Sequence, residues 1–231
     1  MPWKHSEESA GLCLFLHGLN ASPRQWESYT RRFSRQFPET HYLAPYIVLA
    51  GNCPLEEAAG PVVQIVENYL QKFPGKPVTL VGTSNGARIA LHVEAALNPD
   101  LVKANSRLLV ISIAGVLGGT KLMDLAQRIC CRRFLTHHGH IKRDFSFNNR
   151  HSVQRVSALQ ERQQLWEQNK VDADHYFFAT TEDEQVRTLS SSLPYLPSTP
   201  AAHYQVVSGH THETIVDGLH ATFLELQAKN D

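Results

Sequence analysis

The segment VTLVGTSNGARIAL, Val78 to Leu91, restricts the possible folds more than any other part of the chain. It opens as a run of β-formers, passes through Gly82-Thr83-Ser84-Asn85-Gly86, and continues with the spacing of an amphipathic helix. A strand that turns sharply into a helix at a serine lifts that hydroxyl above the sheet edge. The first N–H groups of the helix and the positive end of its dipole then point at the same spot. Glycine at positions 82 and 86 suits a turn in which strand and helix pass too closely for side chains. Five-residue matches are common, so the flanking strand and helix carry the inference.

The rest of the chain repeats this alternation. Leu12 to His17 reads as a buried strand, followed by a turn at His17 to Pro23 and a helix from Pro23 to Phe37, with Ser22 as N-cap. A second strand lies within 40–48, broken by Pro45, and Leu55 to Phe73 has helical periodicity. Arg107 to Ala114 is another apolar strand, His175 to Thr181 and His203 to Ser208 are further strands, and 189–196 is a short helix or turn. Glu213 to Lys229 reads as one closing helix. Strands alternating with helices predict a mostly parallel α/β sheet of about six strands, covered on both faces, in a single domain spanning 1–231. Gly115 to Val171 breaks the rhythm. Its helix-like stretches, 121–135 and 152–169, predict a cap-like or lid-like insertion over the C-terminal edge of the sheet, longer than a simple crossover requires.

Composition excludes several classes. Lys and Arg total 22 against 22 Asp and Glu, so no basic footprint for nucleic acid is present. No apolar run reaches the length of a membrane span, and the polar N-terminus lacks the apolar core of a signal peptide. A cytoplasmic protein is expected on that ground. Cys13, Cys53, Cys130 and Cys131 form neither a disulfide framework nor a zinc knuckle and read as reduced thiols. His137, His138 and His140 lack matching carboxylate or cysteine spacing, so they read as solvated rather than metal-binding, and neither metal nor cofactor is expected. The basic run Arg128 to Arg133 reads as a solvated helix face, with peripheral contact to an anionic membrane as the alternative.

Ligands on an open parallel sheet bind beyond the carboxyl ends of the strands. Those ends deliver His17-Gly18-Leu19-Asn20 from the first strand, Ser84 from the elbow, Asp183 after the insertion, and His210 from the last strand. Ser84 is the expected nucleophile, His210 its base and Asp183 the acid that orients the base. His212 is the rival for the base, and Glu182 and Glu184 are the rivals for the acid. The Asn85 and Leu19 backbone N–H groups are the expected oxyanion donors. His17 reads as a residue that shapes the oxyanion loop, while Gly18, Asn20 and Thr83 are expected, with His17, to line the substrate site.

Taken together, Leu16 to Asn20, Gly82 to Gly86, Glu182 to Val186 and Ser208 to His210 resemble an α/β-hydrolase fold serine esterase of the lipase-like branch. Ile113 to Thr120 is similar to the small-residue turn after the next strand in lipases. The resemblance covers residue 12 to the closing helix. It departs from the lipases at Thr83, where they often carry histidine, and in having only eleven residues before Leu12, so the family's first two strands are not expected. The resemblance implies hydrolysis of carboxylic esters, including lipid or acyl esters, through an acyl-enzyme on Ser84. Thioester cleavage and acyl transfer are the alternatives within enzymes. A non-catalytic binding module of the same fold is the alternative outside them.

Overall fold

A computed structural model describes residues 9–120, 145, 150–186 and 188–228 of the 231-residue chain. Six strands form one sheet in the order β2-β1-β3-β4-β5-β6, and every pairing is parallel. The strands are β1 (Gly11–Leu16), β2 (Thr40–Leu43), β3 (Val78–Thr83), β4 (Arg107–Ile113), β5 (Asp172–Thr180) and β6 (Tyr204–Val207). The α-helices among the described residues are α1 (Glu27–Gln36), α2 (Leu55–Lys72), α3 (Asn85–Ala96), α4 (Arg150–Gln168), α5 (Leu189–Ser192), α6 (Ile215–Gly218) and α7 (His220–Ala228).

Period-two alternation along the strands sends successive side chains to two separate cores. Leu12, Leu14 and Leu16 of β1, Leu80 of β3 and Phe177 of β5 pack on one face with α2, α3 and α4. Cys13, Phe15, Val81, Ile111 and Phe178 pack on the other with Trp26, Phe33 and the α6–α7 residues Ile215, Leu219 and Phe223. Each fully buried Leu or Phe side chain is worth about 2 kcal/mol of transfer free energy. That explains the near-continuous apolar runs of β1, β3 and β4, which are buried on both faces.

Two elements differ from the sequence reading. The closing helix is divided at Leu219 into α6 and α7. The break follows Gly218, where a Cβ would stand 2.5 Å from His210 Nε2, so the glycine that accommodates the ring is also the weak point of the helix. Within 115–171, α4 buries Leu159 and Trp166 in the core beside α3 and leads directly into β5, which is the position of a crossover helix. The expected helix at 121–135, the histidines 137–140, Cys130, Cys131 and the basic run 128–133 lie outside the described residues.

A buried polar network joins α3, α4 and β5. Glu94 of α3 accepts from Trp166 Nε1 at 2.6 Å and from His175 Nε2 at 3.1 Å. The Gln163 amide meets His175 Nδ1 at 3.2 Å and donates to Thr199 Oγ1 at 3.1 Å. Glu94, Trp166, His175 and Gln163 are all buried, so these bonds replace the water the polar groups have lost. Arg162 lies over the Trp166 ring and donates to the Leu97 and Ala95 carbonyls that end α3.

Candidate active site

The strand order reverses between β1 and β3, and an open parallel sheet leaves a crevice beyond the strand ends at that point. Ser84 stands there, between β3 and α3, with φ 54° and ψ −119°. Such a backbone costs about 1–3 kcal/mol and persists only where its surroundings enforce it. Ser84 N–H donates to the Ile113 carbonyl at 2.9 Å, and the Ser84 carbonyl accepts from Ala87 N–H at 3.2 Å. A Cβ at Gly82 would collide with the Gly86 carbonyl, and one at Gly86 with the Leu16 and His17 carbonyls. The two glycines therefore let β1, β3 and α3 converge. Ser84 remains partly accessible in otherwise buried surroundings.

Convergence brings the loop after β1 against the serine. A Cβ at Gly18 would lie 3.4 Å from Ser84 Cβ and 3.9 Å from its Oγ. His17 is fully buried, and its ring accepts from Ile47 N–H through Nε2 at 3.2 Å. Nδ1 then carries the proton and donates to the Gly18 carbonyl at 2.9 Å. Burial holds the His17 pKa below its ordinary value, against the opposing effect of the Gly18 hydrogen bond. A neutral imidazole with both nitrogens committed shapes the loop and carries no proton elsewhere. Asn20 has φ 57° and donates its N–H to Ala50, while Ala21 N–H turns back to Gly18. The Leu19 N–H has no acceptor among the described residues, and the Asn85 N–H heads α3, where a helix has none to offer.

The acid and the imidazole meet beyond the C-terminal end of β5. His212 Nδ1 lies 2.8 Å from Asp183 Oδ2, and both side chains are buried. Asp183 Oδ1 accepts from Val186 N–H at 2.7 Å and Gln185 N–H at 2.9 Å. Burial pushes the Asp183 carboxyl up, but His212 and these two N–H groups hold it below its ordinary value. A charged Asp183 fixes the proton of His212 on Nδ1 and leaves Nε2 as an acceptor. Nε2 has no hydrogen-bond partner among the described residues.

His210, the imidazole expected from the sequence, does not reach Asp183. Its carbonyl accepts from Thr180 Oγ1 at 2.6 Å, and its ring packs on the backbone of Gly218. Glu182 accepts from Gly209 N–H at 3.0 Å and Glu184 from His212 N–H at 3.3 Å. The loop is thus pinned at 209, 210 and 212, and the ring that arrives opposite the acid is the one two residues further on. Glu182 and Glu184, weighed in the sequence as rival acids, grip this loop instead.

Thr83 is 4% exposed and Asn85 is 2% exposed, so neither flank of Ser84 offers a side chain to the crevice. Leu19 packs instead with Val116, Phe145 and Val186 in a small apolar cluster. Thr120 closes that cluster, donating its hydroxyl to Gln185 and its N–H to Phe145. Val116 and Val186 lie in segments the sequence reading quoted, Ile113 to Thr120 and Glu182 to Val186, but their packing with Phe145 was not legible, because isolated apolar residues carry no periodic signal. Cys53 is buried and donates to the Val48 carbonyl. Burial, with Glu57 nearby, raises its pKa, the reverse of an activated thiol. Among the described residues there is no group of His, Cys, Asp and Glu able to hold a metal ion, and no helix is long and apolar enough to cross a membrane.

No family model and no curated protein matches the chain by sequence. Solved structures do match by fold. A peroxisomal alpha-beta-hydrolase of Saccharomyces cerevisiae, Lpx1, aligns over 96% of this chain and 78% of its own, with TM-score 0.57 and 14% identity. The lipase BlEst2 of Bacillus licheniformis aligns over 96% and 94%, with TM-score 0.54 and 14% identity. The RedJ thioesterase of Streptomyces coelicolor aligns over 93% and 85%, with TM-score 0.52 and 14% identity. With its parallel six-stranded sheet, its strained serine elbow and these likenesses, the chain has the α/β-hydrolase fold.

Proposed function

We propose that the protein is a serine hydrolase that cleaves small carboxylic esters through an acyl-enzyme on Ser84. The observation that supports this best is the Asp183–His212 hydrogen bond in a fold that also holds Ser84 in a strained, accessible elbow. Ser84 Oγ attacks the ester carbonyl while His212 Nε2 takes its proton. The electron pair moves to the carbonyl oxygen, and the Leu19 and Asn85 N–H groups receive the resulting oxyanion. Collapse expels the alcohol, which leaves with the proton from His212. Water then attacks the acyl-enzyme with His212 as base again, releasing the acid and restoring Ser84. The Ser84–His212 hydrogen bond closes when substrate excludes water, as catalytic hydrogen bonds commonly do.

The apolar cluster of Leu19, Val116, Phe145 and Val186 supports an uncharged acyl group.

The test is labelling by a fluorophosphonate, followed by turnover of p-nitrophenyl esters and thioesters of increasing chain length. Labelling of the wild type that disappears in Ser84→Ala supports the reading. An unlabelled, folded wild type overturns it and leaves a binding module of the same fold. Faster turnover of thioesters than of the matched esters would reassign the substrate class. Transfer of the acyl group to an added alcohol in preference to water would make the enzyme an acyltransferase.

A further inference from the structure

The segment between β2 and α2 contains a backbone anomaly that its own packing does not explain. Leu49 and Ala50 adopt φ 47° and 50°, and Gly51 follows with φ 77°. Two side-chain residues in succession therefore occupy a conformation that favours glycine. Leu49 is 62% exposed, so no buried contact of its side chain holds it there. The turn is closed by its own hydrogen bonds, Ala50 N–H to Ile47 and Asn52 N–H to Leu49, both at 2.9 Å. Strain of this kind concentrates where backbone groups must point in a particular direction.

The directions can be followed outward. The Ala50 carbonyl accepts from Asn20 N–H at 2.8 Å, one residue past Leu19. The Gly51 carbonyl accepts from Asn85 Nδ2 at 3.3 Å. Ile47 N–H, at the base of the turn, donates to His17 Nε2 at 3.2 Å. The orientation of the Asn85 amide is set by its other partner. Arg88 Nη1 can only donate, so the oxygen faces Arg88 at 2.9 Å and the NH2 group faces Gly51. Arg88 lies over the Phe145 ring at 4.3 Å, which ties the same amide to the apolar cluster. Adjacent carbonyls of one turn thus hold the two loops whose N–H groups flank Ser84.

We propose that the Leu49–Gly51 turn braces the oxyanion hole, and that the Asn85 side chain is the positioning residue that transmits the brace to α3. This inference rests on the serine hydrolase reading above. Neither carbonyl of the turn touches the substrate. Their effect is to keep the Leu19 and Asn85 N–H groups aimed at the developing oxyanion rather than at the planar ester. Losing the brace therefore weakens the transition state more than the Michaelis complex.

Two neutral variants test this. A Cβ at Gly51 would stand 2.6 Å from Asn85 Nδ2, on a backbone that already disfavours a side chain, so Gly51→Ala displaces the amide. Asn85→Leu removes the amide and keeps the number and branching of its non-hydrogen atoms. With active sites titrated by fluorophosphonate, both variants are expected to lose about tenfold to a hundredfold in kcat, with KM within about twofold of the wild type. Affinity for a trifluoromethyl ketone, which forms a tetrahedral adduct, is expected to fall by the same factor as kcat. Thermal melting of each variant separates this from a loss of fold. If titrated kcat and ketone affinity stay within about twofold while Tm falls, the turn is only structural and the proposal is wrong. If KM rises while kcat holds, the turn shapes ground-state binding and the proposal is likewise wrong. If the wild type takes no label at Ser84, the hydrolase reading fails and the brace falls with it.

Discussion

Among the described residues two imidazole–carboxylate pairs are tied to β5, one within it and one just past its end, and they are built for opposite ends. His175 lies within β5, and Asp183 follows the C-terminal end of that strand. In the core pair every polar atom of the imidazole and the carboxylate is committed. Glu94 serves Trp166 and His175, and the second nitrogen of His175 meets Gln163. In the edge pair, Asp183 is equally saturated, by His212, Val186 and Gln185, but one nitrogen of His212 has no partner among the described residues. The same functional groups thus give a structural clamp in one place and a candidate proton acceptor in the other. The difference lies in how many hydrogen bonds remain to be made.

That contrast can be broken by substitution. The largest expected effects are at the edge pair. Ser84→Ala and His212→Ala should each lower kcat/KM for an activated ester by about 10⁴-fold. Asp183→Asn, which releases the His212 tautomer, should lower kcat by a similar factor with KM nearly unchanged. The core pair should show the inverse pattern. Glu94→Leu leaves the Trp166 N–H and the His175 ring without a buried partner and should cost about 3 kcal/mol in urea unfolding. Activity per titrated site should stay within about twofold. Equal losses of activity at both pairs would dissolve the distinction.

A smaller effect sharpens the edge assignment. His210→Ala should stay within about threefold of the wild type in kcat/KM, since its ring packs on Gly218 and its bond to Thr180 is made by the backbone. A loss matching that of His212→Ala would return the base to His210. The smallest effect concerns pH. Burial lowers the pKa of His17, and burial with a nearby cation lowers those of His41 and His220, the cations being Lys72 and Arg32. The unfolded chain then binds more protons than the folded one, so stability rises with pH. This contribution is complete above the ordinary value of 6.5 and is lost as pH falls below it. Melting temperature should therefore decline from pH 7.5 to 5, and His17→Asn should flatten part of that slope.

The alternation of strands and helices was legible because buried parallel strands leave continuous apolar runs and amphipathic helices leave a 3.6-residue stripe. The elbow was legible because two close backbone approaches demand glycine at fixed spacing around the serine. Both His210 and His212 were candidates, but the choice between them was not legible, because a loop has no period from which to count. Two residues of loop decide which ring arrives, and that choice depends on contacts with Thr180, Glu182 and Glu184, roughly thirty residues earlier. The core pair was invisible for a different reason. A glutamate in an amphipathic helix reads as its solvent side, and its partners Trp166 and His175 lie 72 and 81 residues away. The left-handed turn at Leu49 and Ala50 was equally hidden, since neither residue type signals it.

Helix α3 carries Ser84 at its head and Glu94 in its last turn. Ser84, the proposed nucleophile, is therefore tied to a helix anchored in the core through Glu94. His212 hangs from a surface loop gripped by acidic side chains. In hydrogen exchange, α3 amides should open only with the whole molecule, whereas the loop around His212 can open alone. The two sides of the proposed site are thus expected to open with different free energies, a difference that exchange rates at α3 and at the His212 loop would measure.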